Sequence, residues 1–263
     1  MKLYHNIAST CSQKVRLVLA EKNLAFESEF LDLQRGDQFA ADYLKLNPNA
    51  VVPTLEDGGQ VYIESTLINE YLDDAYPETP MKPSDAAERH RMRHWCKRID
   101  ALHPACGVQT YAIAVRLNLQ RRPASEVQAL VDQIPDKTRR ETRRSVIELG
   151  VQAPSFQGAL AEHVVLFDAL QTRLNDHDWL AGDSYSLADA ALLPYVLRVE
   201  HIGLGSLVAN RLSLAAWFKR IQQKPAYAIA VTEYLPQALI DNFAKAAALV
   251  ERELADSLSA VGQ

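Results

Sequence analysis

The sequence predicts two domains, a mixed α/β domain in the first third of the chain and an all-helical domain after it. Strand and helix patterns alternate through residues 1–76, whereas only helical periodicity follows them. Between the two parts, residues 76–85 contain three prolines, and a segment of this kind is typical of a linker. We therefore expect one domain at residues 1–78 and a second at residues 86–263.

The first domain is predicted to have the order βαβαββα. The predicted strands cover residues 2–5, 26–33, 52–55 and 61–63, and the predicted helices cover residues 10–23, 38–46 and 65–75. Asp57-Gly58-Gly59 is a hairpin signal between the last two strands. The βαβ half requires a parallel strand pair and the ββα half an antiparallel one, so a single mixed sheet is expected.

The second domain is predicted to be helical throughout. Helices are expected at residues 90–119 with an interruption near Pro104, and at residues 156–174, 187–202, 212–223 and 226–258. Residues 120–154 are polar, rich in arginine and punctuated by prolines. They are expected to form an irregular insertion with one or two short helices.

Composition excludes several classes of function. With 28 Lys and Arg against 33 Asp and Glu, the net charge is −5, which argues against a nucleic-acid partner. No apolar run reaches the roughly 20 residues that span a bilayer, and the N-terminus resembles a strand rather than a signal peptide. The spacing of Cys11, Cys96 and Cys106 indicates neither disulfides nor a metal site, so a reducing cytoplasm is expected.

The first candidate site is the start of the predicted helix at residues 10–23. A helix N-terminus presents unpaired N–H groups and a partial positive charge. A hydroxyl or thiol at that point, from Ser9, Cys11 or Ser12, can therefore stabilise an anion. The alternative, which this segment alone favours, is that Ser9 or Thr10 only caps the helix.

Two further segments complete the candidate site. The Val52-Pro53 bond is a candidate cis peptide that would free the neighbouring main chain for an extended peptide ligand; an ordinary edge-strand proline is the alternative. Ser65 can bind a carboxylate or simply cap a helix, and Glu64 can pair with an ammonium group. All three segments lie at loop tips of one sheet, where a small ligand with thiol, peptide, amino and carboxylate groups would use each of them.

Both domains resemble cytosolic glutathione transferases. The resemblance lies in the run from Asn47 to Pro53 followed by Glu64-Ser65, and in Ser186-Leu187-Ala188-Asp189-Ala190, which resembles that family's N-capping box. It implies a thioredoxin-like α/β domain followed by an all-α domain, which is the glutathione transferase fold. It also implies glutathione as co-substrate, a homodimer and a cytoplasmic location.

The resemblance also implies roles for the thiol-activating residues. The run Ser9-Thr10-Cys11-Ser12 is most similar to the zeta-class motif, in which the residue at the position of Ser9 activates the thiol of glutathione, as it also does in the tau class. Other classes use a cysteine in this loop. Ser9 is therefore the first candidate, Cys11 the second and Ser12 the third.

The glutathione-binding residues follow from the same resemblance. Val52, with Pro53, is expected to pair its backbone with the cysteinyl part of glutathione. Glu64 and Ser65 are expected to hold the γ-glutamyl end, and Gln38 to reach the glycyl end.

The expected activity is attack of the glutathione thiolate on an electrophilic, aromatic or apolar small molecule, in detoxification or aromatic catabolism. Residues 93–100 and 134–144 are loosely similar to bacterial β-etherase-type transferases, which cleave aryl ethers, although Cys11 departs from that branch. An insertion unrelated to substrate is the alternative reading of residues 134–144. The rival functions are a Cys11-dependent glutathione thiol reductase and a non-catalytic glutathione- or ligand-binding protein.

Overall fold

The structure is a computed structural model that describes residues 1–262. The described chain forms two compact units. The first comprises Met1–Asp100, Leu170–Tyr195 and Ser213–Pro236, and the second comprises Ala101–Ala169, Val196–Leu212 and the residues from Gln237 onward. All four strands lie in the first unit, and the second is built from helices over its described length.

A four-stranded mixed sheet organises the first unit. Its strands are Lys2–His5 (β1), Glu27–Phe30 (β2), Thr54–Asp57 (β3) and Gln60–Ile63 (β4). The spatial order is β2-β1-β3-β4, with β1 parallel to β2 and antiparallel to β3, and β4 antiparallel to β3. The predicted mixed sheet is therefore confirmed.

Three helices accompany the sheet in sequence: Thr10–Glu21 (α1), Ala41–Leu46 (α2) and Ser65–Ala75 (α3). The prediction of one helix over residues 38–46 was wrong in detail. A 3₁₀ turn at Asp37–Phe39 precedes α2, and Ala40 between them has extended backbone angles. Strand β2 is also shorter than predicted, because the carbonyl of Leu31, just beyond it, accepts a hydrogen bond from the Asn6 side chain instead of a strand partner.

Helices make up the rest of the described chain. They are Ala86–Ala101 (α4), His103–Thr110 (α5), Arg116–Leu119 (α6), Ala124–Asp132 (α7), Lys137–Leu149 (α8), Pro154–Leu174 (α9), Leu187–His201 (α10), Ser206–Ala209 (α11), Leu212–Gln222 (α12), Pro225–Tyr227 (α13), Gln237–Ala248 (α14) and Glu251–Ala260 (α15). Among these described helices, none combines the length and apolar character that crossing a bilayer requires.

The helical part differs from the sequence prediction in three places, one of which is residues 120–154, where the ordered helices α7 and α8 replace the expected irregular insertion. The interruption expected near Pro104 is found at Leu102, but α4 begins earlier than expected, at Ala86, and a π-helical turn at Tyr111–Val115 adds a second break that was not predicted. The tail expected at residues 226–258 is likewise broken, by a π-helical turn at Ala228–Thr232 and a gap before α14. Pattern matching at a period of 3.6 residues does not detect a π turn, since one inserted residue leaves each flanking stretch periodic.

The capping box at the start of α10 is confirmed. The Oδ2 atom of Asp189 accepts hydrogen bonds from the N–H and the hydroxyl of Ser186, at 3.0 and 2.9 Å. Its Oδ1 atom accepts from the indole N–H of Trp217 at 2.9 Å and from the N–H of Leu180 at 3.1 Å. Asp189 is fully buried, and this single carboxylate satisfies donors of three residues in two segments of the first unit.

Replacing Asp189 by Asn is expected to lower the free energy of unfolding by about 2–5 kcal/mol. The side-chain amide of Asn would place its own N–H donors against the N–H donors that Asp189 now accepts from. Chemical denaturation followed by circular dichroism measures the change. Asp178→Asn is the matched control, since this exposed carboxylate pairs with Arg220 at the surface and is worth at most about 1 kcal/mol. Equal losses in the two variants would contradict the role given to Asp189.

Candidate functional site

The register of the sheet brings the three predicted site segments to one end of it. Tyr4 of β1 pairs with Thr54 of β3, and Thr54 pairs with Ile63 of β4. The chain leaves β1 at this row, enters β3 from Pro53 and leaves β4 toward Glu64. The loop before α1, the turn before β3 and the start of α3 are therefore neighbours at the same sheet edge.

Ser9 is the N-cap of α1. Its backbone is extended, with φ −67° and ψ 124°, and its Oγ atom accepts a hydrogen bond from the N–H of Ser12 at 3.2 Å. This bond uses one acceptor lone pair and leaves the hydroxyl proton available to a ligand atom. Ser9 is partly exposed, so its proton can serve an anion placed at the positive end of the helix.

The other two candidates in this loop differ from Ser9 in exposure and bonding. Ser12 is completely buried, and its Oγ atom accepts from the N–H of Asn6 at 3.3 Å. Cys11 is partly exposed and reduced, in the first turn of α1. By contrast, Cys96 is buried, and burial raises the pKa of its thiol to about 12, so it is unreactive at neutral pH.

A buried arginine holds the loop that carries Ser9. The guanidinium of Arg16, with a relative exposure of 1%, donates to the carbonyls of Asn6 and Ile7 at 3.1 and 3.0 Å. It also donates to the carbonyl of Ala230 at 3.0 Å and lies 4.4 Å from the ring centre of Tyr234. Burial lowers the pKa of Arg16 to about 10, which leaves the group charged at neutral pH.

The same arginine fixes the protonation of His5. Arg16 lies 3.1 Å from Nδ1 of His5, and a guanidinium can only donate, so Nδ1 must be the acceptor. The ring hydrogen is therefore on Nε2, which donates to Oγ of Ser28 at 2.7 Å. Burial and then the nearby Arg16 charge lower the pKa of His5 to about 4, in agreement with a neutral ring.

The turn before β3 presents main-chain groups rather than side chains. The Val52-Pro53 bond is cis, as the sequence suggested. The side chain of Val52 is buried in a small apolar cluster with Leu31 and Tyr43. Its own N–H and C=O make no hydrogen bond to any residue in the described range 1–262, so they are available to an extended ligand.

Tyr43 and Asn47 brace this turn. The Tyr43 hydroxyl donates to the carbonyl of Val51 at 2.5 Å and lies 2.9 Å from Oγ1 of Thr54. The Asn47 amide donates to the same two atoms at 3.0 and 3.1 Å. Sequence reasoning used Asn47 as the first residue of the run that carries the resemblance and missed this bracing role, although an Asn-Pro-Asn run before a strand is a recognisable turn signal.

The start of α3 combines an exposed carboxylate with an uncapped helix end. Glu64 occupies the N-cap position with φ 69° and ψ 104°, a region that non-glycine residues rarely adopt, and its side chain is exposed. No side chain within the described residues caps the helix at this position, so the first N–H groups, starting with that of the buried Ser65, have no side-chain partner. An anion can bind those N–H groups while Glu64 attracts a cation.

An ion pair links α1, α3 and α4 beside this site. The buried ammonium of Lys14 lies 2.6 Å from Oδ1 of Asp100, and the same oxygen accepts from the Thr66 hydroxyl at 2.8 Å. Asn69 of α3 donates to the carbonyl of Lys14 at 3.3 Å. These contacts fix the N-terminal turn of α3 relative to α1.

Gln38 is the predicted site residue with the weakest geometric support. It is buried in the 3₁₀ turn, and its amide nitrogen makes a long hydrogen bond of 3.4 Å to the carbonyl of Leu33. Its Oε1 atom has no partner within the described residues. Contact with a ligand by Gln38 therefore stays a prediction.

Comparisons with known proteins match both parts of the chain to one family. Residues 8–75 match the family model of the glutathione S-transferase N-terminal domain, and residues 143–225 match that of the glutathione S-transferase C-terminal domain. Glutathione S-transferase 1 of Dianthus caryophyllus is 30% identical over 202 residues, which cover 75% of this chain and 76% of that protein.

A bacterial relative matches along nearly the whole chain. Protein LigF of Sphingobium sp. (strain NBRC 103272 / SYK-6) is 29% identical over 86% of this chain and 91% of its own length. The crystal structure of beta-etherase LigF from Sphingobium sp. strain SYK-6 superposes with a TM-score of 0.79, covering 89% of this chain and 97% of that one.

Replacing Arg16 by Lys is expected to lower the free energy of unfolding by about 2–4 kcal/mol, because an ammonium cannot serve the Asn6, Ile7 and Ala230 carbonyls together. Thermal and urea denaturation measure this loss. Arg35→Lys is the control, since Arg35 is exposed and a surface substitution of this kind changes stability by at most about 0.5 kcal/mol. An Arg16→Lys protein as stable as the control would show that the loop does not depend on the guanidinium.

Proposed function

The chain belongs to the glutathione S-transferase family, and we propose that Ser9 holds bound glutathione as the thiolate that attacks an electrophile. The protein is a glutathione-dependent transferase of this family. The observation that carries the assignment of Ser9 is its hydroxyl, which caps α1 through its oxygen and keeps its proton free at the positive end of the helix.

Glutathione binding is assigned to the groups that meet at the sheet edge. Val52 offers its unpaired N–H and C=O to the cysteinyl peptide unit. Glu64 attracts the γ-glutamyl ammonium, and the N–H groups that begin at Ser65 bind the neighbouring carboxylate. With the cysteinyl unit and the γ-glutamyl group held in this way, the sulfur of glutathione lies on the side of the Ser9 loop. Gln38 is then the candidate for contact with the glycyl end.

The energy required of Ser9 is modest. A thiol with an ordinary pKa of about 8.5 needs a shift of about two units to be mostly thiolate near neutral pH, and that shift corresponds to about 2.7 kcal/mol. One hydrogen bond to a charged acceptor contributes about 1.5–3 kcal/mol. The end of α1 adds about 0.3–1 kcal/mol, so a single hydroxyl on this helix is sufficient.

Replacing Ser9 by Ala is expected to raise the pKa of the bound glutathione thiol by about one to two units, because the hydrogen bond to sulfur is lost. Ultraviolet titration of the thiolate in the glutathione complex measures the pKa, and conjugation of 1-chloro-2,4-dinitrobenzene at neutral pH should slow about 10–100-fold. Ser9→Thr keeps the hydroxyl and the cap, and should retain most of the activity.

The same assays with Cys11→Ala distinguish the rival function. Cys11 is a partly exposed thiol in the first turn of a helix, where a thiolate is stabilised, which supports a thiol reductase as the second candidate. If Cys11→Ala abolishes turnover while Ser9→Ala does not, the reductase is correct. If neither variant nor the parent protein turns over any substrate while glutathione still binds, the protein is a binding protein.

We further propose that the electrophile is an aryl ether, which the similarity to LigF over most of both chains supports. The thiolate would form a C–S bond at the ether carbon while the C–O bond breaks. The bonding electrons leave on a phenolate oxygen, which then takes a proton from solvent. No oxidant or reductant is consumed in this step.

Incubation with glutathione and a β-aryl ether ketone is expected to release a phenol and a glutathione thioether in equal amounts, measured by mass spectrometry. Ser9→Ala should slow both products together. Conjugation of 1-chloro-2,4-dinitrobenzene without any phenol release from the ether would refute the aryl ether and leave the transferase activity standing.

The domain limits, the cellular location and the oligomeric state belong to the same proposal. The domain limits 1–78 and 86–263 and a cytoplasmic location are retained as predictions. A homodimer is proposed because dimers are general in the family. Light scattering on the purified protein measures the subunit number.

A further inference from the structure

The arginine-rich segment after α6 is an ordered part of the second unit, not an irregular insertion. Arg116 donates to the carbonyls of Ile147 and Glu148 at 3.3 Å each, and the Gln120 amide donates to the carbonyl of Ile147 at 2.9 Å. Gly150, at φ 59°, lies against the Arg116 guanidinium so closely that a Cβ atom there would collide with it. The C-terminal end of α8 is therefore held firmly beside residues 116–120.

This arrangement places Arg143 of α8 on the ring of Tyr111. The guanidinium carbon lies 3.1 Å from the ring centre, so the flat face of the guanidinium is covered by the aromatic face. Tyr111 begins the π-helical turn Tyr111–Val115, and such turns occur frequently at functional sites.

Arg143 is exceptional among its neighbours on α8 because it lacks an acceptor. Arg140 donates to the carbonyl of Ile134 at 2.9 Å, and Arg144 forms an ion pair with Asp132. Within residues 1–262, Arg143 makes neither a hydrogen bond nor an ion pair, although it is partly buried.

The positive charge near Arg143 makes its lack of an acceptor energetically unfavourable. Burial lowers the pKa of Arg143; Tyr111 opposes this effect, and the positive charge of Arg139 on the same helix adds to it. Burial also lowers the pKa of Arg139. A partly desolvated guanidinium without an acceptor, as at Arg143, favours an anion at its open edge.

We propose that Arg143, backed by Tyr111, binds the carboxylate of a small organic acid in the second unit. The tyrosine covers one face of the guanidinium and leaves its edge, where the paired N–H donors lie in a plane that matches the two oxygens of a carboxylate. The proposal goes beyond the transferase chemistry and does not depend on Ser9, since every group it uses lies in the helical unit.

Benzoate and benzamide provide the test, because they differ in charge and share shape. Isothermal titration of the full-length protein is expected to show benzoate binding at least about tenfold more tightly than benzamide. Arg143→Gln should reduce benzoate binding to the level of benzamide. Arg144→Gln is the matched control on the next position of α8, and it should keep the preference.

The unfolding temperature of each variant, measured alongside, shows whether α8 is intact, and Arg143→Lys provides a second, milder change. Lysine keeps the positive charge but lacks the paired N–H donors of the guanidinium, so an intermediate preference for benzoate is expected. The proposal is overturned if the parent protein does not distinguish benzoate from benzamide, or if folded Arg143→Gln still does. An equal loss in Arg144→Gln would also overturn it, by assigning the effect to the net charge of the helix.

Discussion

The first unit depends on one buried cation. Arg16 connects the loop between β1 and α1 to the chain near Ala230 and Tyr234, which is more than two hundred residues away in sequence. Charged donors to buried carbonyls are strong and directional, and no apolar residue could replace them without leaving those carbonyls unpaired. The position of Ser9 is thus set by a contact with the far end of the sequence, and not by the local sequence alone.

Local rules explain what the sequence predicted well. Strand β1 and helix α3 were predicted with their observed limits, because short strands with turn signals and amphipathic helices after a strand are determined by nearby residues. The Ser186–Asp189 capping box is equally local, since the Asp189 carboxylate accepts from both the N–H and the hydroxyl of Ser186. The helix starts and the turn that carry the candidate site residues could be predicted for the same reason, because nearby residues determine them.

Long-range contacts explain what the sequence did not predict. Arg16 lies in a stretch of α1 that is buried on every face, residues 12–19, and the local sequence does not indicate which carbonyls it meets. The order of residues 120–154 was underestimated, because α8 is held by Arg116 and Gln120 from another helix. The roles of the individual site residues are the remaining step, since they depend on a bound ligand.

The Ser9 hydroxyl can accept one hydrogen bond and donate another, and this has a kinetic consequence. Its oxygen is tethered by the N–H of Ser12, so the one remaining freedom is rotation of the hydrogen about the Cβ–Oγ bond. That rotor can swing toward an arriving sulfur without displacing any heavy atom of the loop. If Ser9 acts on the glutathione sulfur as proposed, no side-chain rearrangement has to precede the reaction.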